Sequence, residues 1–257
     1  MTLASEKFAS QVKTAVSATY KFESINKKQD KVDKKHEENT SKRVKEDDRS
    51  DNGRFDYIWI IIGLKKLCHQ TTVPHKILLP HSFRSDCCMN NDACLIVANP
   101  AEKYEALLRE KKVSGISKVI DISSLLTEYK QFEARRLLCS SFDCFLADSA
   151  IISELPLILG KKFAKKKKLP LPVDLKEDDL AREIAQALGA TSLTIPAAAN
   201  VTLRASYTQL SEGQSVENII AILDAAFELI PGGFANIQSI NVKSTLSPAF
   251  PVFCCEE

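Results

Sequence analysis

The sequence predicts a chain of two classes, α+β and α/β: a discontinuous α+β domain with a Rossmann-like, three-layer α/β domain inserted in it. Three observations predict this. From Cys94 to Leu159, strand-sized apolar runs alternate with helix-forming stretches in the order βαβαβα. Parallel strands need long crossover connections, so this order implies a small parallel sheet covered by helices. Strand-like runs also lie before and after that region, and pairing them with one another makes the α+β domain. The 257 residues, 44% of them hydrophobic, are enough to bury a sizeable core as one large domain or two small ones.

The elements follow in chain order. Phe8, Val12, Ala15 and Val16 fall at i, i+4, i+7 and i+8, the spacing of a short amphipathic helix. Residues 24–54 are nearly free of apolar side chains and are expected to be a disordered insertion, because they cannot offset their ordering entropy. Tyr57-Ile58-Trp59-Ile60-Ile61-Ile62 reads as a buried strand, and Lys76-Ile77-Leu78-Leu79 as a second one stopped by Pro80. Strands are expected at residues 94–98, 118–122 and 144–147. Each is followed by a helix: one carrying Tyr104, Leu107 and Leu108, one over 124–139, and one over 151–159. Further on, an amphipathic helix through Leu180, Ile184 and Leu188 ends at Gly189. Strands follow at 192–195 and 200–204, and Ser215 is expected to cap a helix with Val216, Ile219, Ile220, Leu223 and Phe227 inward. A last strand is expected near 239–242. The expected domains are therefore 1–92 with 169–257, and 93–168, joined near Asn91 and at 169–172.

Several kinds of chemistry are disfavoured. No apolar run approaches the roughly 20 residues needed to cross a bilayer, and MTLASEKFASQ lacks the apolar core of an export signal. The eight cysteines include the adjacent pairs Cys87-Cys88 and Cys254-Cys255, whose reach is wrong for tetrahedral chelation. The first βα turn of the parallel sheet reads ANPAEKYE, without the glycines that let a phosphate approach the backbone. Gly160, in LGKK, follows a helix and reads as its C-cap. His36, His69, His75 and His81 lie in the polar insertion or near turns, with no Gly-x-Ser-x-Gly elbow. Asp143 and Asp148 flank a strand and read as caps. No catalytic residue, metal or cofactor is expected, and the chain is not expected to be an enzyme.

The net charge of +2 conceals an uneven distribution. Lys161, Lys162, Lys165, Lys166, Lys167 and Lys168 crowd into eight residues with no acid among them. Ammonium groups so close repel one another unless an anion screens them. A phosphate backbone is such an anion, and binds with a salt-dependent release of counterions. Phe163 interrupts the run; packing against the domain is the favoured expectation, with stacking on a base as the alternative.

Four stretches taken in order are LPHSFRSD (79–86), EYKQFEARRLLCSSFDCFLADSAII (128–152), LGKKFAKKKKLPLPVDL (159–175) and SVENIIAILDAAFELIP (215–231). Together they resemble the ribosomal protein L-one family, and most closely its nucleolar relatives, the ribosomal L-one domain-containing assembly factors. The resemblance implies the same split architecture and non-catalytic binding of structured RNA. It implies precursor ribosomal RNA and preribosomal proteins as partners, in the nucleus and nucleolus, with no membrane partner and a monomeric state outside the particle. The alternatives are a structural protein of the large-subunit stalk and a protein-interaction scaffold within preribosomes.

In that family the discontinuous domain supplies the main RNA face, largely through a strand-end loop near the C-terminus. The matching loop here is Ser244-Thr245-Leu246-Ser247-Pro248, which keeps the threonine and proline but lacks the family's glycine, so the backbone approaches RNA less closely. That departure and the lysine run favour the assembly-factor branch. The expected RNA contacts are Lys65, Lys66, Arg84, Arg204, Ser244, Thr245 and Ser247 from the discontinuous domain. Lys161, Lys162, Lys165, Lys166, Lys167 and Lys168 are expected to add contacts from the connector. Contacts of this kind position RNA, while its shape, loops and 2′-hydroxyls give specificity.

Overall fold

A computed structural model of the chain describes residues 6–33, 57–69, 71, 73–82, 93–98, 100–111, 113, 115–175, 180–208, 210–245 and 247–255. In chain order the elements are α1 (Glu6–Asp33), β1 (Tyr57–Leu64), β2 (His75–Ile77), β3 (Ala93–Val97), α2 (Ala101–Glu110), β4 (Ile116–Asp121), α3 (Ile122–Thr127), α4 (Phe132–Ser141) and β5 (Cys144–Asp148). They continue with α5 (Leu155–Leu159), α6 (Lys161–Lys165), β6 (Leu171–Val173), α7 (Leu180–Gly189), β7 (Thr191–Leu193), β8 (Asn200–Tyr207), α8 (Glu212–Leu229), β9 (Ile237–Ser244) and β10 (Phe250–Cys254). The fold is mixed α/β with one parallel sheet.

Two units divide the chain, Met1–Cys68 with Ala198–Glu257, and His69–Ala197. These limits differ from the boundaries expected at 93 and 168. The reason lies in apolar packing that a linear reading splits. Leu180, Ile184, Ala187 and Leu188 of α7 share one apolar cluster with Leu95, Leu146, Leu171 and Val173 of the parallel sheet. β2 pairs with β7, inside the second unit, instead of joining β1. Residues 169–172, expected as a connector, lead into β6, which pairs in parallel with β5. β6 is an edge strand, where Pro172 is tolerated because one side of the backbone needs no ladder partner.

In the first unit, β10-β9-β1-β8 form an antiparallel sheet. β1 is buried on one face only: Ile58, Ile60 and Ile62 point into the core, while Tyr57, Trp59 and Ile61 alternate to the other face and stay half-buried. α1 and α8 contribute Phe8, Val12, Ala15 and Val16, and Val216, Ile219, Ile222, Leu223 and Ala226, to that core. α1 is longer than expected. Its helix runs on to Asp33, which corrects the expected disorder for residues 24–33; residues 34–54 lie outside the described residues. Once a helix is nucleated by a packed apolar face, each added residue costs little, and Lys and Gln are good helix formers.

α8 starts one turn earlier than Ser215. Ser211 is its cap: Gln214 N donates to Ser211 Oγ at 3.3 Å and Ser211 N to Gln214 Oε1 at 3.2 Å, a reciprocal capping box. Ser215 is buried instead, its Oγ 2.8 Å from the Tyr20 hydroxyl and 2.7 Å from Ser206 Oγ. Burial pushes the Tyr20 hydroxyl pKa up, so it stays a neutral donor to the Leu210 carbonyl at 2.7 Å.

The second unit holds the parallel sheet β4-β3-β5-β6, covered on both faces, as parallel sheets usually are. α2 and α7 pack on one face; α3, α4, α5 and α6 pack on the other, around Ile96, Phe145 and Ala147. The helix expected over 124–139 is two helices. Asp121 caps the first, accepting from Ser124 N at 2.9 Å, and these hydrogen bonds hold its carboxyl below the usual range. In the break, Arg135 Nε donates to the Tyr129 carbonyl at 2.8 Å. Among the described residues no helix is long and apolar enough to cross a membrane.

Candidate nucleic-acid interface

The register of the antiparallel sheet builds a site that no single segment contains. Trp59 on β1 lies opposite Arg204 on β8 and opposite Lys243 on β9, so a cation, an aromatic ring and a second cation form one row across three strands. All three side chains are half-buried. The Arg204 guanidinium carbon is 4.9 Å from the Tyr57 ring centroid and 5.2 Å from that of Trp59, with the two rings 6.3 Å apart at 67°. These are cation–π distances, and they hold Arg204 in place. The next row is Thr202, Ile61 and Asn241. No described helix of this unit packs on this face; α1 and α8 are on the other.

The loop between β9 and β10 emerges at the same end of the sheet, since Ser244 pairs with Ile58. Of its expected contact residues, Thr245 is exposed, as is Pro248. Ser244 and Ser247 are buried at 1% and 5% exposure. Ser247 Oγ accepts from Ser244 N at 2.8 Å and donates to the Pro248 carbonyl at 2.9 Å, so this hydroxyl shapes the loop. Where a glycine would turn the chain by its backbone freedom, a serine side chain does so here.

Lys65 and Lys66 follow the far end of β1, about 20 Å along the strand from Ile58 at roughly 3.3 Å per residue. They are exposed, but belong to a different corner: Lys65 N donates to the Asn236 carbonyl, Lys66 N to Asn236 Oδ1, and Lys65 Nζ lies 3.1 Å from Cys255 Sγ. The structure therefore places Arg204 and Thr245 at one end of the sheet and Lys65 and Lys66 at the other. Arg84 lies outside the described residues.

The lysine run is part of the second unit. Phe163 is fully buried, edge-on to Phe145 at 5.0 Å, and pins α6 to the sheet. Lys168 is a structural residue: its side chain is 9% exposed, and Nζ donates to the Phe142 carbonyl at 3.0 Å and the Cys139 carbonyl at 3.4 Å, with Asp143 at 3.8 Å. It thus satisfies carbonyls at the C-terminal end of α4. Lys161, Lys162, Lys165, Lys166 and Lys167 are exposed.

Tyr57, Trp59 and Lys243 escaped the sequence reading. The signal for the first two was the alternation within YIWIII, which places residues 57, 59 and 61 on one face; for Lys243 it was the same period in INVKS. The cysteines form no metal cluster among the described residues. Cys94 is buried in the sheet, which pushes its pKa up to about 12.

The family model described as the ribosomal protein L1p/L10e family matches residues 27–248 of this chain. The chain belongs to the ribosomal L1 family. Among its L1 relatives, a Schizosaccharomyces pombe protein provisionally named a ribosome biogenesis protein is 29% identical over 244 residues, covering 92% of this chain and 63% of the relative. Ribosomal L1 domain-containing protein 1 of Mus musculus is 31% identical over 186 residues, covering 69% of this chain and 40% of that protein. A large ribosomal subunit protein of the L1 type from Schizosaccharomyces pombe is 28% identical over 109 residues, covering 42% of this chain and 50% of that protein. The chain thus spans less than two thirds of the length of each of these relatives.

Proposed function

We propose that this ribosomal L1 family chain is a non-catalytic ribosome biogenesis factor that binds precursor ribosomal RNA within preribosomes, in the nucleolus. The observation that carries this reading is the row Arg204–Trp59–Lys243, flanked by Tyr57 and by the exposed Thr245 and Pro248. Its chemistry suits unpaired RNA. A base can stack on an aromatic ring or a guanidinium plane, while the lysine and the guanidinium attract phosphate. The name of the 29% identical Schizosaccharomyces pombe biogenesis relative supports the biogenesis reading over a place in the mature subunit.

In-cell crosslinking with sequence mapping tests it. Precursor ribosomal RNA is expected to be enriched, and a Trp59→Leu, Arg204→Gln double variant is expected to lose that enrichment while remaining folded. RNA recovery no higher than background for the unaltered chain would sink the RNA-binding reading. Stoichiometric presence in mature large subunits would instead assign the chain to the stalk.

A further inference from the structure

The two helical layers of the second unit treat their outward apolar side chains differently. On the layer of α2 and α7, Leu107 at 39% is the one strongly exposed large apolar residue among those described. On the layer of α3, α4, α5 and α6, four stand out: Leu126 at 49%, Phe132 at 79%, Leu137 at 67% and Leu157 at 82%. Single exposed apolar side chains need no explanation, but three leucines and a phenylalanine on one layer leave apolar area in water that a partner would cover.

The same layer is strongly basic. Residues 122–168 hold nine Lys and Arg (130, 135, 136, 161, 162, 165, 166, 167 and 168) against five Asp and Glu (128, 133, 143, 148 and 154), a difference of four charges. The cations sit among the apolar groups. The Arg135 guanidinium lies 6.0 Å from the Phe132 ring centroid, and Arg136 and Lys130 are exposed. α6 packs against both α4 and α5. Burial raises the Cys139 thiol pKa on α4, and the charges of Lys168, Lys166 and Lys162 oppose that rise.

This pairing of chemistries selects an occupant. A second copy of the chain would bring the same excess of positive charge to the contact. RNA would satisfy the lysines, and Phe132 with Arg135 offers one place for a base. Leu126, Leu137 and Leu157, however, make up the rest of the apolar area and offer neither a ring nor a guanidinium plane to stack on. A protein segment with apolar anchors among acidic residues satisfies both features, in the manner of a helix laid on an apolar surface. We infer that the outer surface of α3–α6 docks an acidic amphipathic segment of another protein, its Asp and Glu facing Lys161, Lys162, Lys165 and Lys166 and its apolar side chains covering Phe132, Leu137 and Leu157. The inference does not depend on what the first unit binds.

The test places a photoactivatable benzoylphenylalanine at Leu137 in the full chain in cells, with the same probe at Leu107 as the control on the opposite layer. The expected adduct at Leu137 is nuclease-resistant and maps to a segment of a different protein rich in Asp and Glu around Leu or Phe. That segment, made as a peptide, is expected to bind the full chain and to lose at least about tenfold in affinity with Leu137→Ser, Leu157→Ser. A similar loss is expected with Lys161, Lys162, Lys165 and Lys166 all changed to Gln, where the remaining binding becomes less sensitive to salt. These exposed positions leave the core intact, and unchanged thermal unfolding checks that. An adduct removed by nuclease, one mapping to a second copy of this chain, or one no stronger than at Leu107 overturns the inference.

Discussion

On the open face of the first unit's sheet, Arg204 and Lys243 stand on either side of Trp59, on strands whose register backbone hydrogen bonds fix. On the second unit, the exposed lysines of α6 stand on a five-residue helix held down by Phe163 alone among its side chains. Charge is denser in the second case, and rotamer freedom is greater. A guanidinium already held against two rings loses little entropy when it binds, whereas each exposed lysine gives up roughly 1–2 kcal/mol of rotamer freedom. Crowding of charge along the chain and preorganisation of charge in space are therefore separate properties, and here different regions supply them.

Four measurements would break or sharpen that contrast. The largest effect is expected from Phe163→Ala, which should cost about 3–5 kcal/mol in denaturant unfolding because it empties a fully buried aromatic site against Phe145. A loss under about 1 kcal/mol would mean that α6 is not anchored as described. Next, Trp59→Leu should weaken binding of single-stranded precursor RNA by about 1–3 kcal/mol through lost base stacking, measured by fluorescence titration. In the same titrations, Arg204→Gln and Lys243→Gln should each flatten the salt dependence by about 0.7–0.9 in log–log slope. Neutralising Lys161, Lys162, Lys165 and Lys166 should leave that slope unchanged if their partner is protein, and flatten it if their partner is RNA.

Lys168→Met should cost about 1–2 kcal/mol, read as a lower melting temperature, because the Cys139 and Phe142 carbonyls lose their shared donor. Lys165→Met, on an exposed lysine of the same run, should stay within about 0.5 kcal/mol. The smallest perturbation is thiol labelling of the native chain near neutral pH. Cys254 should react early, while Cys94, held protonated by a pKa of about 12, should react only on unfolding. Early loss of the Cys94 thiol would show that the parallel sheet opens more readily than its packing implies.

Much of the local structure was legible in the chain because it depends on neighbours. The strand–helix alternation around Leu95, Val119 and Leu146 and the inward face of α8 each follow from periodicity within about 20 residues. Family membership was equally legible, since four motifs keep their order along the sequence. The boundaries were less so. Pro172 looks like a linker residue until β6 is seen to be an edge strand, and α7 looks like part of the later domain until its leucines are found in the parallel sheet's core.

Sequence by itself determined the fold class, the parallel unit and the existence of a lysine run, because hydrophobic period and charge density are written locally. Only the tertiary structure decided what those charges do. It turned Lys168 inward onto helix-end carbonyls and buried Ser244 and Ser247 in their own loop. It also brought Trp59, Arg204 and Lys243, separated by up to 184 positions in the chain, into one row. Strand register is a long-range choice, set by which faces can be buried together, and no stretch of neighbouring residues contains it.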